Sequence, residues 1–286
     1  MLMENLRKEY HKKIGEQIIR IYERKGQVFA NFADGDSKIS TMISLGILDQ
    51  MEFTPKRERI SEQSVGDIFE VVTKEYLESS FELLGRIRPG KWLYQTAQTS
   101  ISNFDQYEHL QYLKKLVSEN QALKSAIGGD YIVRPDIVIS RIPISLDELN
   151  CEKDILDNQL AIASHSPLLA KPDLRRAPIL HASISCKWTL RSDRAQGTRT
   201  EALNLIRNRK GNQPHIVAVT AEPLPNRIAT LALGTGDIDC VYHFALYELV
   251  KAIQLTDRDD LSEFIQTMIE GKRLRDISDL PFDLAI

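Results

Sequence analysis

The sequence predicts a single α/β domain in which a mixed central β-sheet is flanked by helices. Three observations carry that expectation. Amphipathic helical spacing dominates the first 126 residues. Beyond residue 130, short runs rich in β-branched residues alternate with helical patterns, the texture of a sheet covered by helices. Neither repeats, low-complexity tracts nor an obvious linker divide the 286 residues, so residues 1–286 read as one domain.

Taken in order, residues 4–25 read as a helix, with Leu6, Tyr10, Ile14, Ile18, Ile21 and Tyr22 at helical spacing. Asn31 to Ser37, containing Asp34-Gly35-Asp36, reads as a turn. A short helix is expected over Ile39–Leu48, and Thr54 to Arg59 forms an exposed basic loop. Ser64–Leu84 is a long amphipathic helix carrying Glu70 in its first half and closed by Arg88-Pro89-Gly90. Asp105–Ala126 is a further helix, stopped by Gly128-Gly129. Tyr131–Ile139 reads as a strand; Pro135 cannot donate to a ladder, which points to an edge or a bulge. Residues 145–177 look helical and then loop-like.

Pro178–Leu190 is a strand whose alternation sets Ile179, His181, Ser183, Ser185 and Lys187 on one side. Leu180, Ala182, Ile184, Cys186 and Trp188 take the other. A helix over Thr198–Arg209 ends at Gly211. His215–Thr220 and Arg227–Leu233 are expected strands, and Val241–Gln254 a terminal helix. Gly234-Thr235-Gly236 fits a hairpin and lacks the third glycine of a dinucleotide site.

Composition narrows the class. A 42% hydrophobic, 27% charged chain can form a sizeable core. The three cysteines form no CxxC pair, which argues against a disulfide framework or thiolate zinc and fits a reducing cytoplasm. Met1 to Arg24 lacks the apolar core of a signal peptide, and no stretch is long enough to span a membrane, so no membrane partner is expected. Net charge is −3, yet Lys171 to Arg227 holds eleven basic residues against four acids, a local excess of seven. A basic middle on a mildly acidic chain suits one defined DNA face; a solvated helix with its flanks is the plainer alternative.

Candidate chemistry lies in that region. Metal-assisted phosphodiester cleavage needs oxygen ligands for a hard cation and a positive group near the phosphate. Arg134-Pro135-Asp136 offers an acid on one strand, and Ser185-Cys186-Lys187 a lysine on another. Glu201 falls early in the following helix, and Glu70 on the earlier long helix can complete the cluster. Arg191-Ser192-Asp193-Arg194 adds readers: arginine bridges O6 and N7 of guanine, and a carboxylate accepts from N4 of cytosine. Each motif has a bland counterpart. A lysine at a strand end often snorkels, Pro-Asp is commonly a turn, and Arg-Ser-Asp-Arg is commonly a solvated loop.

Together, Arg134-Pro135-Asp136, Ser185-Cys186-Lys187 and Glu201 resemble the PD-(D/E)XK nucleases, in a variant with one acid relocated. Ser185 stands where the usual acid precedes the lysine by two residues, and Glu201 takes over its role. With Arg191-Ser192-Asp193-Arg194, the pattern is similar to NgoMIV-type restriction endonucleases, which recognise a CCGG core; Asp34, Gln63, Glu70 and Arg227 also match functional positions there. The resemblance covers essentially the whole chain. It implies a restriction-endonuclease-like PD-(D/E)XK core, in a bacterial cytoplasmic enzyme of a restriction-modification system. It further implies magnesium, two ions per active site, on Asp136, Glu201 and the backbone carbonyl of Cys186. Lys187 would sit near the attacking water and scissile phosphate, with Glu70 in support.

For recognition, the resemblance implies that Arg191, Asp193 and Arg194 read the CCGG core. Asp34 and Arg227 would read an outer pair, and Gln63 would approach from the minor groove. The implied double-stranded site is GCCGGC, cut on both strands to leave 5′-phosphate ends. A palindrome calls for a two-fold dimer, and the family implies a tetramer of two such dimers. Two other readings compete: a structure-specific repair or recombination nuclease on the same fold, and a catalytically dead DNA-binding module, for which Ser185 is the main support.

Overall fold

A six-stranded sheet organises the chain. Its strands, in both spatial and chain order, are Trp92–Thr96 (β3), Ile137–Arg141 (β4), Ile179–Lys187 (β5), His215–Thr220 (β6), Cys240–His243 (β7) and Leu274–Asp276 (β8). The strands β3, β4 and β5 pair antiparallel, whereas β5 to β8 pair in parallel, so the sheet is mixed as expected. A separate antiparallel hairpin joins Ile21–Arg24 (β1) to Gln27–Ala30 (β2). The computed structural model describes residues 1–24, 26–51, 55–96, 99–120, 125, 133–157, 162–170, 176–234 and 236–286.

Helices Leu2–Gln17 (α1), Lys38–Gln50 (α2), Glu62–Glu82 (α3), His109–Glu119 (α4), Leu146–Leu149 (α5), Ser192–Asn208 (α6), Pro225–Ala232 (α7), Leu246–Gln254 (α8), Asp259–Glu270 (α9) and Leu280–Asp283 (α10) surround the sheet. Ser37 and Ser61 cap α2 and α3 by accepting from backbone N–H groups three residues on. Tyr10 on α1 packs 4.9 Å from Tyr76 on α3, and its hydroxyl lies 3.2 Å from Thr73. Gly46 lets α2 approach α8, since a Cβ there would stand 2.9 Å from that of Ala252. Arg7 forks onto both Asp276 and Glu248 at 2.7–2.9 Å, tying α1 to the last strand and to α8.

Several expectations change. The first helix ends at Gln17 rather than running to 25; Ile21 and Tyr22 lie on β1. Apolar spacing alone does not separate a helix from a helix followed by a short strand. The helix expected from Asp105 starts with a 3-10 turn, Asp105–Tyr107, before α4; Ala126, Gly128 and Gly129 fall outside the described residues. So do Thr54, Tyr131 and Ile132. Pro135 sits just before β4, an interior strand, so it needs no edge position.

A bulge does occur, on the neighbouring strand. Ile139 pairs with Ala182 and Ser140 with Leu180, leaving His181 as the extra residue. His181 therefore turns toward Phe81 and Trp92, with its Nε2 2.7 Å from the Leu284 carbonyl oxygen, and does not share a face with Lys187.

The helix after β5 begins at Ser192, six residues earlier than expected. Arg227–Leu233 is not a strand: it falls largely within α7, which starts with a proline in its first turn. The parallel pairing of β6 with β7 demands such a crossover. Val241 opens no helix but lies on β7, and α8 is followed by α9, β8 and α10. Among the described residues, no helix is long and apolar enough to cross a membrane.

Candidate active site

The antiparallel register of β4 and β5 builds the centre. Ile137 pairs with Ile184, so Asp136, one residue before β4, lies opposite Ser185 near the end of β5. Asp136 Oδ2 accepts from Lys187 Nζ at 2.7 Å, from the Cys186 backbone N–H at 2.7 Å and from Ser185 Oγ at 3.3 Å. All three bonds meet one oxygen. Beyond them, α6 contributes Thr198, whose Oγ1 is 3.3 Å from Ser185 Oγ, and Glu201 one turn later. From the helix α3 comes Glu70.

Electrostatics mark this as a crowded oxygen site. Burial raises the Glu70 carboxyl to about 7; Asp136 adds to the rise and Lys187 opposes it. Glu201 is raised as well, by burial first, with Lys187 opposing and Asp136 adding. Burial alone would lower Lys187, but Asp136 and Glu201 outweigh it, so the ammonium is held charged. Glu70 and Glu201 each feel both Lys187 and Asp136, an oxygen-rich surrounding that fits a hard divalent ion. Among the described residues, no cluster of three or more His, Cys, Asp or Glu side chains forms a ligand set. An ion here would therefore combine carboxylates with backbone and water oxygens. The buried Cys186 thiol, pushed well above its usual range by burial, faces Glu70 and Thr73 and is no ligand.

An open cleft of about 860 Å³ adjoins the centre. Its walls include Asp34, Gln63, Glu70, Cys186, Lys187, Arg191, Arg194 and Arg227. Asp136, Ser185 and Glu201 are not part of its lining, and exposed Asp193 sits in the first turn of α6. Beneath the cleft, Trp188 packs edge-on to Phe32 at 5.6 Å and to Phe69 at 5.1 Å, and lies 5.7 Å from Phe244. This aromatic cluster anchors the loop before Asp34, the helix of Glu70 and the end of the lysine strand on one support.

Four of the expected readers, Asp34, Arg227, Arg194 and Gln63, have side-chain partners within the protein. Arg227 Nη2 donates to Asp34 Oδ2, and that guanidinium lowers the Asp34 carboxyl below its usual range. Arg194 donates to Thr189 Oγ1 at 2.8 Å and to Glu62 Oε2 at 3.1 Å. Gln63 Nε2 donates to Asp67 Oδ1 at 2.7 Å. Arg191 is the N-cap residue of α6.

Sequence reasoning missed Thr198, Glu62, Asp67 and Glu222. Thr198 had a legible signal, one turn before Glu201 on the same helix face. Glu222, a lone acid two residues past a strand in a basic stretch, had only its isolation.

A family model described as NgoMIV restriction enzyme matches residues 10–286. The type II restriction enzyme NgoMIV of Neisseria gonorrhoeae is 45% identical over 284 residues, covering 98% of this chain and 97% of that protein. Among solved structures, the type IIF restriction endonuclease Bse634I with cognate DNA matches at 14% identity and a TM-score of 0.34, covering 90% of this chain and 99% of that one. The likeness to that structure is too low to carry any argument about the site.

Proposed function

The chain belongs to the NgoMIV restriction enzyme family and is a type II site-specific deoxyribonuclease, and from that premise we propose a magnesium-dependent cut at GCCGGC. Cleavage leaves 5′-phosphate ends. Asp136, Glu201 and the backbone carbonyl of Cys186 hold the metal, two ions per site. When bound, the metal activates water and stabilises charge on the phosphate. Lys187 places an ammonium beside the reacting phosphate and orients Asp136. Glu70 supports the cluster from α3, and the Ser185 hydroxyl stands where an acid would otherwise add charge.

Arg191, Asp193 and Arg194 read the CCGG core, Asp34 and Arg227 the outer G·C pair, and Gln63 the minor groove. A palindromic target is served by a two-fold dimer with one centre per strand, and pairs of dimers form the tetramer. The enzyme acts in the bacterial cytoplasm as the cutting half of a restriction-modification system.

The observation that carries the cutting centre is the convergence of Lys187, the Cys186 N–H and Ser185 on Asp136 Oδ2, with Glu201 alongside. It favours a working nuclease over a dead module, because a lysine paired to an acid among further carboxylates is costly to keep without use. The test compares cleavage of GCCGGC with each singly changed hexamer, using wild type and Asp193→Ala. Loss of about 1–3 kcal/mol of core discrimination in the variant is expected; unchanged discrimination removes Asp193 from the readers.

A further inference from the structure

Glu222 is a buried carboxylate, 1% exposed at its side chain, that the cutting chemistry leaves without a task. It stands two residues past β6, where its own N–H donates to Thr220 Oγ1 at 3.2 Å. Its Oε2 accepts from the Leu190 backbone N–H at 2.9 Å, and its Oε1 from the Leu224 N–H at 3.2 Å. The same Oε1 lies 3.9 Å from Arg227 Nη1, while Arg227 Nη2 reaches Asp34.

These contacts join separate parts of the reading surface. Leu190 immediately precedes Arg191, and Leu224 caps α7, the helix that carries Arg227. One carboxylate thus holds the backbone ahead of the core readers, the start of the outer reader's helix, and one edge of its guanidinium. Burying a carboxylate costs several kcal/mol unless it is paired and hydrogen-bonded. An apolar residue would fill this space at lower cost for packing alone, so the two accepting oxygens answer a need.

We propose that Glu222 is a positioning residue for base recognition, fixing Arg227 on the outer pair in register with the Arg191-to-Arg194 run on the core. The inference rests on the assignment of Arg227 as an outer-pair reader. Glu222 touches no base; it acts through Arg227 and through the backbone at Leu190. A neutral amide in its place has one accepting oxygen for two N–H donors, and its NH₂ group meets one of them head-on.

The experiment measures cleavage of GCCGGC against hexamers with the outer pair replaced, such as ACCGGT and CCCGGG. It uses wild type, Glu222→Gln, Glu222→Asp and Arg227→Ala, with thermal unfolding of each. Both Glu222→Gln and Arg227→Ala are expected to reduce outer-pair discrimination by about tenfold or more. A purely structural Glu222 would lower the unfolding temperature and slow every substrate by a common factor, leaving the ratio unchanged; that result overturns the proposal. If only Arg227→Ala changes the ratio, Glu222 is not a positioning residue and the reader assignment stands. If Arg227→Ala leaves the ratio unchanged, the reader assignment itself falls, and the proposal with it. Should Glu222→Gln fail to fold, Glu222→Asp is judged by the same ratio, since it keeps the charge but is too short to reach both N–H groups.

Discussion

Asp34 and Arg227 lie 193 positions apart in sequence and meet as an ion pair on the wall of the cleft. Each is the other's partner. The same holds for Arg194 with Glu62 and for Gln63 with Asp67. If these residues read bases as proposed, engaging a G·C pair would exchange protein bonds for base bonds and add little net affinity, whereas a wrong pair would leave desolvated charges unmatched, and that penalty would supply discrimination.

Asp34→Ala is therefore expected to relax the outer pair more than it weakens binding. Discrimination there should fall by about 1–3 kcal/mol, while non-specific affinity rises because a carboxylate has left the DNA face. Relative cleavage of hexamers differing in the outer pair, with binding to unrelated duplex alongside, checks both. Equal discrimination in variant and wild type would show that Asp34 reads nothing.

Asp136→Ala and Lys187→Ala should abolish cleavage while retaining specific binding. The first removes the acceptor shared by Lys187, Cys186 and Ser185, and the second removes the ammonium beside it. A rate loss of about a hundredfold or more is expected when a group acting on transition-state charge is lost. Gel-shift and cleavage assays on the same duplex separate the two effects, and full activity in either variant would remove that residue from the chemistry.

Magnesium should stabilise the folded protein even without DNA. The Glu70 and Glu201 carboxyls are raised partly by Asp136, and a cation among them relieves that repulsion. Binding to the folded form alone raises stability by about 2.7 kcal/mol when the ion is a hundredfold above its Kd. A thermal-unfolding series in magnesium should rise for wild type and flatten for Glu201→Gln. Parallel curves would place the ion elsewhere.

The Glu222 carboxyl, raised to about 7 by burial against backbone N–H groups and Arg227 that pull it down, sets a pH dependence. A carboxyl held above its unfolded value near 4.5 lends stability that is full below that value and lost as pH rises through about 7. Between pH 8 and pH 5, wild type should gain on Glu222→Gln by at most about 3 kcal/mol. Denaturant unfolding of both at several pH values checks the sign; a constant difference would contradict it.

Much of this architecture was legible where one residue type has one use. The β-branched alternation of β5 and β6 and the long apolar stripe of α3 need no tertiary information, and the structure has all three. That Asp136 and Lys187 meet was legible from the resemblance of their motifs, whereas the antiparallel register that brings them together was not. The stretch carrying Arg227 misled because Ile228, Ala229, Thr230 and Leu231 suit strand or helix alike; the parallel pairing around it decides. His181 changed face because a bulge is a property of two strands, not one. Glu222 was silent because its partners, the N–H groups of Leu190 and Leu224, are backbone and leave no trace in residue type.

The most direct measurement is digestion of a sequenced plasmid with and without magnesium, with every end mapped. Cuts confined to GCCGGC on both strands, bearing 5′-phosphates and absent without magnesium, are the predicted result. Magnesium-dependent cuts without a shared sequence would contradict the reading residues, and an intact plasmid carrying GCCGGC sites would contradict the cutting centre built on Asp136 and Lys187.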